Sequence, residues 1–304
     1  MRLPLNIALV LICLCGGHSF AQHTPITSQY LFNGLLINPA YAGSRDALTA
    51  NLTHRQQWVG FAGAPVTQVL SVHSPVKAKK IGLGLMVFND RIGVSRETGV
   101  TTNYAYHLRL PKGKVAFGLG LGFLAGRSNW QDVALQQQSD VSFQPVERAA
   151  IKPNFSSGAY YHSKRSFVGI SFPFMLRQHD VITEPSSRRS MNMQPMLFAG
   201  HLIELSERVK MKPTTLLRYT ASGGIQGDLS ANFIFHEKLW LGGSYRSNEA
   251  VVAMLEVLPK PQWRIGYSYD MGINRIERYH SGSHEMMLQY EFGYRIKLRD
   301  PRYF

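Results

Sequence analysis

The chain has 304 residues, of which 44% are apolar and 11% aromatic, with two cysteines and a formal net charge of +14. That length suffices for one large domain, and beyond the N-terminus no stretch reaches the ~18 apolar residues of a membrane helix. These numbers leave a soluble enzyme and a β-barrel both open, so the period of the apolar pattern decides between them.

The chain opens with MRLPLNIALVLICLCGGHSFAQ, which has Arg2 in a positive head, an apolar run from Leu5 to Cys15, and the small-residue site Ser19-Phe20-Ala21. This spacing predicts a secretory signal peptide over residues 1–21, cut after Ala21. Lipoprotein processing would need a small residue before the cysteine, whereas Leu14 precedes Cys15 and Ile12 precedes Cys13. Both cysteines leave with the signal. An exported mature chain without disulfides suits a bacterial envelope.

Residues 22–46 form an N-terminal segment. Its core, SQYLFNGLLINPAYAGSRD at 28–46, is too apolar for a free tail and too irregular for a strand. Two placements fit: a cap on the base of a barrel, or a plug in its lumen. Asn38, Pro39, Ala40 and Tyr41 are the candidate plug motif.

From residue 47 the period-two pattern takes over. In KVAFGLGLGF at 114–123, Val115, Phe117, Leu119, Leu121 and Phe123 fall on one face, and Ala116, Gly118, Gly120 and Gly122 on the other. This run lacks the helix-opening turn of a dinucleotide loop and the Gly-Lys-Ser/Thr ending of a P-loop. Trp263, Ile265, Tyr267 and Tyr269 alternate in the same way with Arg264, Gly266, Ser268 and Asp270. The strands expected are 47–56, 66–74, 80–90, 99–109, 114–127, 153–163, 165–174, 193–204, 213–221, 226–235, 238–247, 250–258, 262–271 and 284–297. About 14 strands, each near the length that crosses a bilayer at a tilt, predict an all-β transmembrane antiparallel outer-membrane barrel over 47–298. In the strand at 114–127, the apolar face meets lipid and the bare face lets something lie close to the inner wall.

The connections agree with this reading. Odd-numbered ones include the long segments 57–65, 128–152, 175–192 and 272–283, and even-numbered ones are mostly tight turns. Long loops outside and short turns in the periplasm mark an outer-membrane barrel. The short turns and tail concentrate about +11 of the net charge. Lys77, Lys79, Lys80, Lys112, Lys114, Lys164, Arg165, Arg208, Lys210 and Lys212 form a candidate periplasmic basic collar. It serves either as a solvated rim beside lipid headgroups or as a dock for an acidic periplasmic partner. Nucleic acid is not expected in this compartment.

Catalytic and cofactor motifs are not found. No G-x-S-x-G elbow or H-E-x-x-H helix occurs, and the acidic residues are few and scattered. His280 and His284 flank Ser281-Gly282-Ser283 in a loop, which does not suit a shared metal. No enzyme activity, metal or cofactor is expected.

The residues SQYLFNGLLINPAYAGSRD, RQQWVGFAGAPVTQVLSVHSP at 55–75, GLGLMVFNDRIG at 82–93, NYAYHLRL at 103–110 and KPTTLLRY at 212–219 form a specific combination. SYRSNEA at 244–250, IGYSYD at 265–270, GSHEMMLQY at 282–290 and the ending PRYF complete it. Together they resemble the PorP/SprF family of outer-membrane proteins, associated with type IX secretion and gliding in Bacteroidetes. The resemblance implies a non-enzymatic secretion component or surface anchor in the bacterial outer membrane. Its partners would be secretion-machinery proteins, secreted surface proteins and outer-membrane lipid. Asn38-Pro39-Ala40 also resembles the hatch of FadL-type channels, so a channel for small hydrophobic molecules is the rival. The tail, 299–304, carries Arg302, Tyr303 and Phe304, which would seat in the periplasmic mouth of the barrel.

Overall fold

In the computed structural model the residues described are 27–45, 47–76, 80–129, 150–173, 175, 194–220 and 224–293. The predicted signal peptide, Lys77, Lys79, most of 128–152 and 175–192, and the tail with Arg302, Tyr303 and Phe304 lie outside them.

The strands follow one another as antiparallel neighbours. β1 is Leu48–Gln56, β2 Val66–Val76, β3 Ile81–Ile92, β4 Ser95–Leu110, β5 Gly113–Ser128, β6 Ala150–His162 and β7 Ser166–Phe172. β8 runs Met196–His201 and resumes at Ile203–Glu204 after a break at Leu202. Then come β9 Val209–Thr220, β10 Gly224–Phe235, β11 Leu239–Arg246, β12 Ala250–Lys260, β13 Trp263–Gly272 and β14 Ser283–Phe292. β1 pairs with β14, Leu48 opposite Phe292, which closes the ring at 14 strands. Closure removes every sheet edge, so each backbone group in the apolar layer finds a partner in a neighbouring strand.

Alternation sets the two faces. On β5, Phe117, Leu119, Leu121 and Phe123 are exposed, Leu119 at 67%, while Ala116 is fully buried. β13 and β14 repeat this, with Arg264, Asp270, Glu285 and Gln289 inward and Ile265, Met271, Met286 and Leu288 outward. The exposed apolar residues form the lipid-facing band, where a charged replacement at mid-membrane costs about 2–4 kcal/mol.

Two boundaries differ from expectation. The connection between β3 and β4 shrinks to Gly93-Val94, because the polar run Ser95–Thr98 pairs fully with β3 and β5 instead of looping out. β9 begins at Val209, not at 213. Pro213 reads as a strand start since it cannot donate to the ladder, yet it sits inside β9 opposite Ala231.

Candidate functional site

The inward faces converge on residues 27–45. Three single-turn helices, Tyr30–Phe32, Gly34–Ile37 and Pro39–Tyr41, fold this segment inside the ring, and all of it but Ser44 is buried. Its apolar residues Leu31, Phe32, Leu35, Leu36 and Ile37 supply the core of the lumen. It runs from Ser28, level with the ends of β1 and β13 that bear long connections, to Arg45 near the short-turn end.

On the side of β3 to β7 the segment touches the wall backbone to backbone. Asn38, the N-cap of Pro39–Tyr41, accepts from the Ala40 N–H at 2.9 Å. Its amide donates to the carbonyls of Ala159 (3.0 Å) and Ile170 (3.2 Å). A methyl group at Gly118 would overlap the Ala40 backbone, and one at Gly158 would overlap the Asn38 amide. At Gly82 it would strike the Ala42 carbonyl. At Gly118 the bare face of β5 is therefore occupied by Pro39 and Ala40, while Gly120 and Gly122 are met by Ser156, Asn103 and Thr101 of the neighbouring strands. Tyr41 packs edge-on against His73 and tilts against Tyr160, with centroids 5.3 and 5.6 Å apart. The Gly43 N–H donates to His73 Nδ1 (3.2 Å), and His107 Nε2 donates to the Ala42 carbonyl (2.8 Å).

Opposite, charge holds the segment. The Glu285 carboxylate accepts the N–H groups of Ser28 (2.6 Å) and Gln29 (2.9 Å). Arg55 pairs with Asp270 (2.7 Å) and Glu285 (3.1 Å), and Arg246 with Asp228 (3.1 Å) and Asp270 (3.4 Å). The Ser28 hydroxyl donates to Asp270 (2.7 Å) and accepts from Arg55 (2.7 Å) and Arg246 (3.1 Å). In the turn after β11, Glu249 meets Arg246 and Arg218, both at 3.2 Å. Burial pushes the Glu249 carboxyl up, but the charges of Arg246 and Arg218 override this and hold it below the ordinary carboxylate range. Burial keeps the Tyr30 phenol neutral by raising it far above its usual value.

A second cluster lies nearer the short turns. The Arg264 guanidinium sits 4.8 Å from the Phe32 ring centroid and 4.5 Å from that of Trp240, and pairs with Glu256 at 3.1 Å. Lys212 lies 5.3 Å from Phe32, 5.6 Å from Phe167 and 5.5 Å from Trp240. Two cations on aromatic faces are a favourable way to keep charge in a dry lumen. Below them, Arg45 pairs with Glu291 at 2.5 Å and donates to Tyr41 at 3.2 Å. Burial alone would lower the Arg45 guanidinium, yet Tyr41 and Glu291 hold it above its ordinary value.

Of the expected collar, Lys80, Lys112, Lys164, Arg165 and Arg208 are exposed at the short-turn end, and Lys114 and Lys210 are half-buried there. Arg165 pairs with Glu204 and Lys210 with Glu237. Lys212 does not belong to this set. With β9 starting at Val209, position 212 falls on the inward register, and the side chain is 1% exposed among the aromatic rings. The acidic residues read as scattered, Asp228, Glu249, Asp270 and Glu285, gather on Arg55, Arg218 and Arg246. The common inward register of Asp228, Asp270 and Glu285 was the available signal. Each carboxylate is bound to arginine, which suits clamping more than proton transfer. His280 stacks on Trp58 and His284 bonds the Tyr267 hydroxyl at 2.6 Å, so the two turn to separate partners.

The fold is shared with solved outer-membrane channels. The toluene transporter TbuX of Ralstonia pickettii aligns at TM-score 0.54 and 8% identity, over 88% of this chain and 94% of its own. The monoaromatic hydrocarbon channel CymD aligns at TM-score 0.52 and 12% identity, over 90% and 95%. At such identities the likeness is one of fold alone. Among curated proteins, none matches this chain in sequence. The family model described as type IX secretion system membrane protein PorP/SprF matches residues 19–290, and with nearly the whole chain so covered this outer-membrane barrel belongs to the PorP/SprF family.

Proposed function

We propose that this barrel is a non-enzymatic anchor or machine part of type IX secretion. Secreted cargo meets its long connections, and periplasmic machinery meets the basic short-turn end. The observation that carries the reading is the filled lumen: residues 27–45 touch the wall on both sides, and Asn38, Pro39, Ala40 and Tyr41 act as the plug. A sealed barrel suits docking better than conduction. The collar reduces to Lys80, Lys112, Lys114, Lys164, Arg165, Arg208 and Lys210, with Lys77 and Lys79 as sequence neighbours of Lys80. Two of its members hold surface ion pairs worth about 0–1 kcal/mol each, weak enough to exchange for a partner's carboxylates. The tail residues Arg302, Tyr303 and Phe304 belong to the same docking end. Deleting 300–304 is expected to leave the barrel in the membrane and impair secretion.

Crosslinking in intact cells followed by purification of the barrel tests the reading. Recovery of periplasmic secretion components or a large surface protein is expected, and charge reversal at Lys80, Lys112 and Lys164 should reduce it. A barrel that emerges alone, reproducibly and in good yield, overturns the reading. The rival, a channel for small hydrophobic molecules, is favoured by the fold shared with TbuX and CymD. It predicts uptake of such a solute into liposomes that removal of residues 22–45 does not increase.

A further inference from the structure

The connection between β13 and β14 holds a short 3-10 helix, Arg275–Tyr279. Residues three apart eclipse in such a helix, so the sequence 274–280, NRIERYH, separates into three faces. Asn274, Glu277 and His280 form one face, with Asn274 and His280 half-buried and Glu277 exposed. Asn274 accepts from the Ile276 N–H at 3.2 Å, and both Glu277 and His280 lie over Gly272. Ile276 and Tyr279 form the second face, with Ile273 three residues before them, and all three are exposed, Tyr279 at 70%. Arg275 and Arg278 form the third. Both are exposed, and neither has an ion pair among the described residues.

The helix is held in a fixed orientation. Val59 donates to the Gly282 carbonyl and Ser281 to the Val59 carbonyl, both at 2.8 Å, which ties this connection to 57–65. The Trp58 N–H donates to Ser283 Oγ at 3.1 Å, and the Trp58 ring stacks on His280 with centroids 6.2 Å apart. Its position follows from β13. Trp263, Ile265, Tyr267 and Met271 point into lipid, and Ile273 continues that row past the end of the strand. Ile276 and Tyr279 follow in the same connection, beyond the outer end of β13, with the exposed Arg275 and Arg278 interleaved between them.

We propose that this helix is a binding site for an anionic lipid of the outer leaflet. Ile273, Ile276 and Tyr279 rest at the edge of the apolar layer while Arg275 and Arg278 grip the headgroup phosphate. The planar guanidinium fork matches a phosphate in two parallel hydrogen bonds, which an ammonium does not. The exposed apolar row of β13 leads in sequence to the helix, and two arginines without an ion pair among the described residues complement phosphate. A phosphorylated lipid is the occupant that uses both faces at once.

The test is native mass spectrometry of the purified barrel loaded with bisphosphorylated lipid A or its phosphate-free counterpart. The wild type should retain the phosphorylated lipid on the order of tenfold better, and R275Q/R278Q should lose that preference. K238Q/K260Q, at the opposite end, should keep it. Heat-modifiable gel migration confirms that each variant is a folded barrel, which these surface positions should leave unchanged. Equal retention of both lipids by the wild type overturns the proposal, as does full preference in R275Q/R278Q. Equal loss in K238Q/K260Q also overturns it, by reducing the effect to net charge. Unchanged lipid retention with lost crosslinking to a secreted protein assigns the face to protein instead.

Discussion

The two walls of the lumen hold the same segment by opposite means. From β3 to β7 the wall is bare at Gly82 and Gly118, where the segment's backbone lies against it, and at Gly158, which receives the Asn38 amide. From β11 round to β1 the wall projects Arg246, Arg264, Asp270, Glu285 and Arg55 onto it. The first contact depends on shape and the second on charge. A shape contact fails when atoms are added, and a charge contact fails when atoms are removed.

The largest effect is expected from Asp270→Ala. It removes the carboxylate that Arg55 and Arg246 share, leaving Arg55 to Glu285 alone and Arg246 to Asp228 and Glu249, and should cost about 3–5 kcal/mol, read as a lowered thermal midpoint and faster chymotrypsin cleavage within residues 27–45. Gly118→Leu should cost about 1–3 kcal/mol by overpacking. Gly126→Leu on the same strand, where nothing lies within 4 Å of the added carbon, should be near neutral. Equal losses in these two leucine variants would break the shape half of the comparison.

Glu249→Gln should cost under about 1 kcal/mol, since the pair sits at the mouth and is partly solvated. Its sign with pH is defined. A carboxyl held below its ordinary value stabilises at neutral pH, and that contribution fades as pH falls through the lowered pKa. Thermal midpoints of the wild type and E249Q should therefore converge on acidification. Convergence toward alkaline pH would refute the assignment. The smallest effect belongs to Lys212→Met, a volume-conserving change that trades cation–π contacts for relief of desolvation. It should stay within about 1 kcal/mol. A loss matching that of Asp270→Ala would make Lys212 part of the clamp.

The shape side was legible in the sequence and the charge side was not. Gly118, Gly120 and Gly122 alternate with Leu and Phe, so a bare inner face and a close neighbour follow from local spacing. The neighbour itself, Ala40, could not be read. Arg264, Asp270 and Glu285 could be placed on inward faces, but Ser28 and Glu285 are 257 positions apart and no local pattern connects them. Lys212 was misassigned to the rim because Pro213 imitates a strand boundary. Its true neighbours, Phe32, Phe167 and Trp240, come from three distant parts of the chain. The break at Leu202 left no trace beyond weak alternation.

The pairing of β1 with β14 constrains the order of assembly. The first and last strands shut the ring, and the segment just before β1 holds its charge partners on the last two strands. Ring closure and lumen filling thus wait on the same late-made residues. Contacts this distant in the chain form slowly. A segment left outside at closure could enter only through a mouth, past Glu291 at one end or Arg246 and Glu249 at the other. The cylinder is then built around its contents, and an empty one is a failed product rather than a precursor.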